Sequence, residues 1–235
     1  MWILIGGLKT EESLLKLPLT NSFDSDIVIK MDNLIRIYDN ILSPQRCQYL
    51  IDKFEAHSEM HEKQMTGNYG TGQAEEKSLT RLNLMKSKDT PFREDLKYIG
   101  AMFFENVERY AKDCSLKPFQ FPKKFGLEPF TIKRYLPNND EEFPQHIDVS
   151  GGEYLNRFLV MFIYLVNNDA GQTEISLKSE YKGEDYELSR KDSLISSPCK
   201  QGSILIFPPY WPWVHTGVAP AKTAKYILGT YCKYV

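Results

Sequence analysis

The chain has 235 residues, of which 42% are hydrophobic and 13% aromatic, so it is long enough to bury one sizeable core. Its formal net charge of −2 creates no overall field that would attract nucleic acid or an anionic membrane, and we expect neither as a partner. The four cysteines include no C-x-x-C pair, which argues against a disulfide framework or a zinc ribbon. The apolar run Trp2–Ile5 is too short for a signal peptide, and we expect a cytoplasmic protein.

Along the chain, the sequence predicts an N-terminal extension followed by a single domain. Residues 1–33 mix short apolar pieces with polar residues, and we expect an N-terminal extension that packs on the core. Residues 34–235 are predicted to form one domain. It opens with an edge strand at Leu34–Tyr38, and Ser43-Pro44 then supplies the N-cap and first-turn proline of a helix that reaches Phe54.

Two features of the first half have a functional and an ordinary interpretation. His57 and His61 are four residues apart, but no third ligand is nearby, so we interpret them as part of a solvated helix end. The polar, glycine-rich stretch Met65–Lys88 is longer than most loops, and we interpret it as a lid over the substrate. The helix predicted from Thr90-Pro91 to Tyr110 carries a core stripe.

After Gly126 the apolar pattern changes to period two, which is typical of strands. The predicted strands are Phe130–Tyr135, Arg157–Val166, Thr173–Leu177, Ser203–Phe207 and Ala224–Lys233. Turn-rich joints between them indicate an antiparallel sandwich or barrel with the two helices outside it. The segment Phe158–Leu165 is apolar on both faces, so we expect it to be a central strand.

Four residues of the second half have the chemistry of a metal and anion site. In His146-Ile147-Asp148 the two polar residues are two apart, so on an extended backbone both side chains point to the same side. With His215 they form the two-imidazole, one-carboxylate facial triad typical of non-haem Fe(II). Lys225 lies in an apolar strand, where a buried ammonium needs an anion such as the distal carboxylate of 2-oxoglutarate.

These residues occur in the order and spacing of a known family. The matching pieces are Asp39-Asn40-Ile41-Leu42-Ser43-Pro44, Arg134-Tyr135, Phe143-Pro144-Gln145-His146-Ile147-Asp148, Arg157 with Phe162-Ile163-Tyr164-Leu165, Gly171-Gln172-Thr173-Glu174, Gly202 to Phe207, His215 and Lys225. From about Asn33 onward the sequence resembles the prolyl 4-hydroxylase-like branch of the 2-oxoglutarate- and Fe(II)-dependent dioxygenases. The resemblance implies a mostly β fold with supporting α-helices around a double-stranded β-helix (jelly-roll, cupin-like) core. It also implies that His146, Asp148 and His215 bind Fe(II) and that Lys225 anchors 2-oxoglutarate.

The resemblance extends to further residues on both sides of the metal. Beside the co-substrate it places Tyr135, Tyr164 and Thr173, for which ordinary filling of a barrel interior is the alternative interpretation. Around the substrate pocket it places Arg157, Phe143 and Tyr231. The family often has Tyr at the position of Phe143, and Trp also occurs at that of Tyr231, so the substrate does not follow from the motif.

The activity implied by the resemblance is hydroxylation of a prolyl residue in a peptide or protein substrate, with O2 and 2-oxoglutarate consumed and ascorbate as a further candidate cofactor. The carboxylate of Asp148 favours hydroxylation over halogenation, because no coordination position is vacated for a halide. Three alternatives stay open. They are an oxygenase acting on a free amino acid or other small molecule, a zinc hydrolase using the same ligands, and a non-catalytic cupin-like binding protein.

Overall fold

The computed structural model describes residues 34–66, 77–137, 141–176 and 193–235. These residues form two α-helices and twelve strands: β1 (Arg36–Tyr38), α1 (Pro44–Glu55), β2 (Glu62–Met65), β3 (Ser78–Asn83), α2 (Arg93–Asp113), β4 (Phe125–Leu127), β5 (Thr131–Tyr135), β6 (Phe143–His146), β7 (Arg157–Tyr164), β8 (Thr173–Ser176), β9 (Ser193–Ser197), β10 (Ile204–Phe207), β11 (Val214–Gly217) and β12 (Lys225–Tyr234). The predicted extension at residues 1–33 lies outside the described residues.

The strands form two antiparallel sheets. In the described part of the chain, eight strands make the larger sheet in the order β1-β10-β7-β12-β5-β3-β2, with β4 beside β12. Four strands make the smaller sheet in the order β6-β11-β8-β9. The predicted mostly β architecture with two supporting helices is therefore confirmed.

The residues of β7 alternate between two cores, as the period of a strand requires. Met161 and Ile163 pack in the cluster that includes the buried faces of α1 and α2. Val160 and Phe162 pack in a second cluster that includes Ile175 of the smaller sheet. Helices therefore cover one face of the larger sheet and the smaller sheet covers the other. Since β7 is paired with both β10 and β12, the prediction of a central strand is confirmed.

Local hydrogen bonds mark the start of both helices, but only α1 has a side-chain cap. Ser43 caps α1, because its Oγ accepts a 3.2 Å hydrogen bond from Arg46 N. The predicted start of α2 at Thr90-Pro91 is three residues too early, since the helix begins at Arg93. Thr90 Oγ1 instead accepts a 3.3 Å hydrogen bond from Phe92 N in the preceding turn. In the described residues, no helix combines the length and apolarity needed to cross a membrane.

The prediction of a continuous lid at Met65–Lys88 is wrong for part of its length. Residues Ser78–Asn83 form β3, which pairs with both β2 and β5 and so extends the larger sheet. The sequence did not indicate a strand here, because most residues of β3 are polar and the buried ones, Ser78, Leu79 and Leu82, do not alternate regularly. Residues 67–76 of the predicted lid lie outside the described residues.

Candidate metal centre and co-substrate site

Pairing between β6 and β11 brings two histidines together from distant parts of the chain. His146 is the last residue of β6 and lies opposite His215 of β11, and Asp148 follows in the bend after β6. One ligand atom from each of the three residues lies within 4.8 Å of the others. The three side chains predicted as a metal triad are therefore adjacent in the structure.

Hydrogen bonds to the backbone determine the tautomer of both imidazoles. His146 Nδ1 is 2.7 Å from Pro144 O, and His215 Nδ1 is 3.1 Å from Trp213 O. Because a carbonyl oxygen only accepts, each Nδ1 must carry the proton, and each Nε2 then presents a lone pair. These lone pairs face the carboxylate of Asp148, with distances of 3.5 Å from His146 Nε2 to Oδ1 and 3.3 Å from His215 Nε2 to Oδ2.

Burial and charge favour the protonation states that bind a metal. His146, Asp148 and His215 are all buried, and His146 Nε2 and Asp148 Oδ2 have no hydrogen-bond partner among the described residues. Burial, reinforced by His215, lowers the pKa of His146 and keeps its ring neutral. Burial alone would raise the pKa of Asp148, but attraction to His215 and His146 in their protonated forms lowers it well below its usual value, and a bound cation would act on it in the same way. Two imidazole Nε2 atoms and one carboxylate, with unsatisfied atoms among them, fit a divalent cation, and the donor types match those of the 2-His-1-carboxylate sites of non-haem Fe(II) proteins.

A second layer of contacts holds Asp148 in place. Tyr231 Oη donates a 2.8 Å hydrogen bond to Asp148 Oδ1, and Arg157 Nη1 donates one of 3.2 Å to its backbone oxygen. The Arg157 guanidinium lies 3.7 Å from the centre of the Tyr231 ring and is paired with Glu128 at 2.7 Å. Such contacts around a metal site restrict the orientation of its ligands.

Lys225, which was predicted to anchor 2-oxoglutarate, is a buried cation. It is 1% exposed, and its Nζ lies 4.7 Å from the Tyr135 ring centre and 3.4 Å from Val218 O. Burial lowers the pKa of Lys225 to about 8. Among the described residues, no carboxylate forms an ion pair with it, so its charge is left for an anion.

Two glycines leave space around Lys225. A Cβ added to Gly217 would lie 3.8 Å from both Lys225 Nζ and Tyr135 Oη, and 3.3 Å from Phe143 Cβ. A Cβ on Gly171, whose φ is +78°, would lie 3.1 Å from Lys225 Cδ. An ammonium and a phenol therefore converge on a space that a methyl group would fill, which is a suitable cradle for a carboxylate.

Tyr164 and Thr173 lie deeper in the same core. Both are buried, their hydroxyl oxygens are 2.8 Å apart, and Tyr164 Oη is also 3.2 Å from Ser197 O. Their hydroxyl groups thus have partners within the protein. These hydrogen bonds are compatible with ordinary filling of a barrel interior, and a place beside the co-substrate stays a prediction for both residues.

A cavity of about 1040 Å³ opens beside the three ligands. Its wall includes Phe143, Arg157 and Tyr231, which were all predicted to lie around the substrate pocket. It also includes Lys133, which the sequence analysis missed. The signal was present, because Lys133 is two residues before Tyr135 in β5 and must share its face of the sheet.

Comparison of the sequence with protein-family models and with curated proteins finds no match. Solved structures, in contrast, share its fold. A viral collagen prolyl hydroxylase of Paramecium bursaria Chlorella virus-1, solved with 2OG, superposes with a TM-score of 0.56 at 14% identity, over 86% of this chain and 96% of that one. An oxidoreductase of the 2OG-Fe(II) oxygenase family from Burkholderia pseudomallei gives 0.57 at 11% identity, covering 85% of each chain.

A prolyl hydroxylase from Trichoplax adhaerens, solved with a peptide fragment of the hypoxia inducible factor oxygen degradation domain, also superposes. Its TM-score is 0.57 at 14% identity, over 86% of this chain and 84% of that one. With the two-sheet topology described above, these likenesses establish the double-stranded β-helix fold of the 2OG-Fe(II) oxygenases. The predicted core architecture is therefore confirmed.

Proposed function

We propose that the protein is a 2-oxoglutarate- and Fe(II)-dependent oxygenase in which His146, Asp148 and His215 bind the metal. The observation that carries the proposal is the pair of Nε2 lone pairs directed at a buried, ionised carboxylate. Without a cation, this arrangement places electron-rich atoms against one another in a buried site, which is costly. The three side chains would leave coordination positions open for other ligands.

Lys225 is proposed to bind the distal carboxylate of 2-oxoglutarate, with Tyr135 as a second hydrogen-bond donor. The space above Gly217, which both groups reach, supports this role. Bound Fe(II) and 2-oxoglutarate together supply the activation of O2 that hydroxylates a C–H bond. The chain's own contribution is to position the ligands: Tyr231 and Arg157 hold Asp148 at its side chain and backbone.

The proposed substrate is a prolyl residue in a peptide or protein. Two of the structures with the same fold are prolyl hydroxylases by name, and one of them was solved with a peptide. The cavity of about 1040 Å³ offers room for several residues of a peptide. A free amino acid or small molecule is the alternative, since it would use the same metal and co-substrate residues. A role for ascorbate and a cytoplasmic location stay predictions from the sequence.

A zinc hydrolase and a non-catalytic binding protein would each explain fewer of the observations. The hydrolase would use the triad but would leave the buried charge of Lys225 without a role. The binding protein has no need of a complete set of ligands with matched tautomers. An oxygenase uses both the triad and the lysine.

The test is turnover with a panel of short proline-containing peptides and free amino acids. Anaerobically purified protein receives Fe(II), 2-oxoglutarate and then O2, and succinate is measured together with the mass of every panel member. Succinate formation coupled to a one-oxygen gain on a proline-containing peptide supports the full proposal. A gain on a free amino acid instead contradicts the peptide assignment, and absence of both succinate and a mass change contradicts the oxygenase.

A further inference from the structure

Lys133 is a second lysine on the inner face of the larger sheet. It lies in β5 opposite Ile227 of β12 and Arg81 of β3, and it shares its face of β5 with Tyr135. Its Nζ is 5.2 Å from the centre of the Phe143 ring, which in turn lies 3.7 Å from the His146 ring. Lys133 therefore belongs to the cavity wall close to the metal ligands.

The ammonium of Lys133 has no counter-ion in contact with it in the described part of the chain. Among those residues it makes neither a hydrogen bond nor an ion pair, whereas the neighbouring cavity cations Arg81 and Arg157 are paired with carboxylates at 3.1 and 2.7 Å. Burial lowers the pKa of Lys133 to about 8, and Asp148 offsets this in part. A divalent metal would neutralise Asp148, which would leave Lys133 without a balancing charge. Lys133 is half-buried in the cavity wall, and a partly desolvated cation without a counter-ion is costly and indicates a ligand.

The identity of that ligand follows from the charges already assigned. If the proposed function holds, one carboxylate of 2-oxoglutarate lies at Lys225 and the other is at the metal, so neither is left for Lys133. We propose that Lys133 binds an acidic group of the primary substrate, a carboxylate held close to the carbon that is hydroxylated. The substrate class is then an acidic peptide with Asp or Glu beside the target residue, or a free amino acid with its carboxylate intact.

The test compares acidic and amide probes on protein loaded with Mn(II) and 2-oxoglutarate in the absence of O2. The acidic pool contains short peptides with Asp or Glu next to proline, together with L-proline, and the amide pool contains the Asn, Gln and prolinamide equivalents. We expect the wild-type protein to bind its best acidic probe roughly 10- to 100-fold more tightly than the matching amide, the range for one charge-assisted hydrogen bond. Lys133→Met should abolish this preference and Lys133→Arg should retain it.

Lys200→Met is the matched control, because Lys200 is an exposed lysine paired with Asp39 on the surface. It should leave the preference unchanged. Calorimetric titration of 2-oxoglutarate into each Mn(II)-loaded variant separates the two sources of carboxylate. Lys133→Met should bind 2-oxoglutarate as the wild type does.

Three results would overturn the proposal. The first is a wild-type protein that does not prefer the acidic pool, the second a preference that survives Lys133→Met, and the third a loss of 2-oxoglutarate affinity in Lys133→Met. The third result would mean that Lys133 binds the co-substrate. Failure of the proposed function itself would be visible separately, as a wild-type protein that binds neither Mn(II) nor 2-oxoglutarate.

Discussion

The phenol of Tyr231 donates a 2.8 Å hydrogen bond to Asp148 Oδ1. Burial, together with the charge of Asp148, raises the pKa of Tyr231 well above its usual value, so the phenol keeps its proton and remains a donor. Tyr231 belongs to β12 and Asp148 follows β6, so the hydrogen bond joins the two sheets directly at the candidate metal centre. The carboxylate is thereby oriented before any metal binds.

Tyr231→Phe should weaken metal binding, because Asp148 loses the group that orients it. Loss of such an outer contact typically costs roughly 10- to 100-fold in metal affinity. Anaerobic titration with Fe(II) or Mn(II) measures the effect. Tyr226→Phe is the matched control on the same strand, since it removes a phenol that is bonded to Glu55 on the protein surface. Equal metal affinity in the two variants would contradict the role of Tyr231.

Binding of 2-oxoglutarate should weaken as the pH rises through about 8. The pKa of Lys225 is lowered to about 8 by burial, so its ammonium is charged below that pH and neutral above it. Only the charged form attracts the distal carboxylate, and affinity should fall up to about tenfold per pH unit above the pKa. A bound carboxylate raises the pKa of Lys225, and the affinity should stop falling above that higher pKa of the complex.

The Lys225→Arg variant provides the control for this pH dependence. A guanidinium stays charged throughout, so this variant should show no such decline even if it binds 2-oxoglutarate less tightly. Calorimetry on Mn(II)-loaded protein at pH 7, 8 and 9 is sufficient. An identical decline in wild type and Lys225→Arg would show that another group titrates.

Gly217→Ala should weaken binding of 2-oxoglutarate and leave metal binding intact. The added methyl would lie 3.8 Å from Lys225 Nζ and Tyr135 Oη, in the space proposed for the carboxylate. Gly100→Ala is the control, because its methyl would meet only Phe130 at ordinary contact distance within α2. Unchanged affinity for 2-oxoglutarate in Gly217→Ala would place the carboxylate elsewhere.

Much of the fold could be predicted because strong local patterns coincide with elements. The period-two runs of β7 and β12 and the capped helix α1 were recognisable from residues close in sequence. β6 and β11 were not recognisable, because each has only four residues. In addition, β6 contains Pro144, and β11 follows a turn rich in tryptophan and proline. Their strand conformation depends on pairing with each other across almost seventy residues of chain.

The candidate site was also predictable only in part, because some of its residues are close in sequence and others meet only through strand pairing. Spacing suggested that His146 and Asp148 face the same side, but only the register of β6 against β11 brings His215 to them. Lys133 was overlooked because the sequence alone does not show which of the two neighbouring cations Lys133 and Arg134 faces inward. In fact Arg134 points outward to Glu55 at 2.9 Å, while Lys133 lines the cavity.

In the proposed function His146, Asp148 and His215 bind the metal and Lys225 binds the co-substrate. Anaerobic calorimetry of Mn(II), and then of 2-oxoglutarate, on the wild type, His215→Ala and Lys225→Met tests both roles at once. We expect one Mn(II) and one 2-oxoglutarate per wild-type chain, neither by His215→Ala, and Mn(II) alone by Lys225→Met. His61→Ala, which removes a histidine bonded to Phe54 O away from the site, should behave as wild type. Wild-type protein that binds no metal, or a Lys225→Met variant that keeps full affinity for 2-oxoglutarate, would contradict the account.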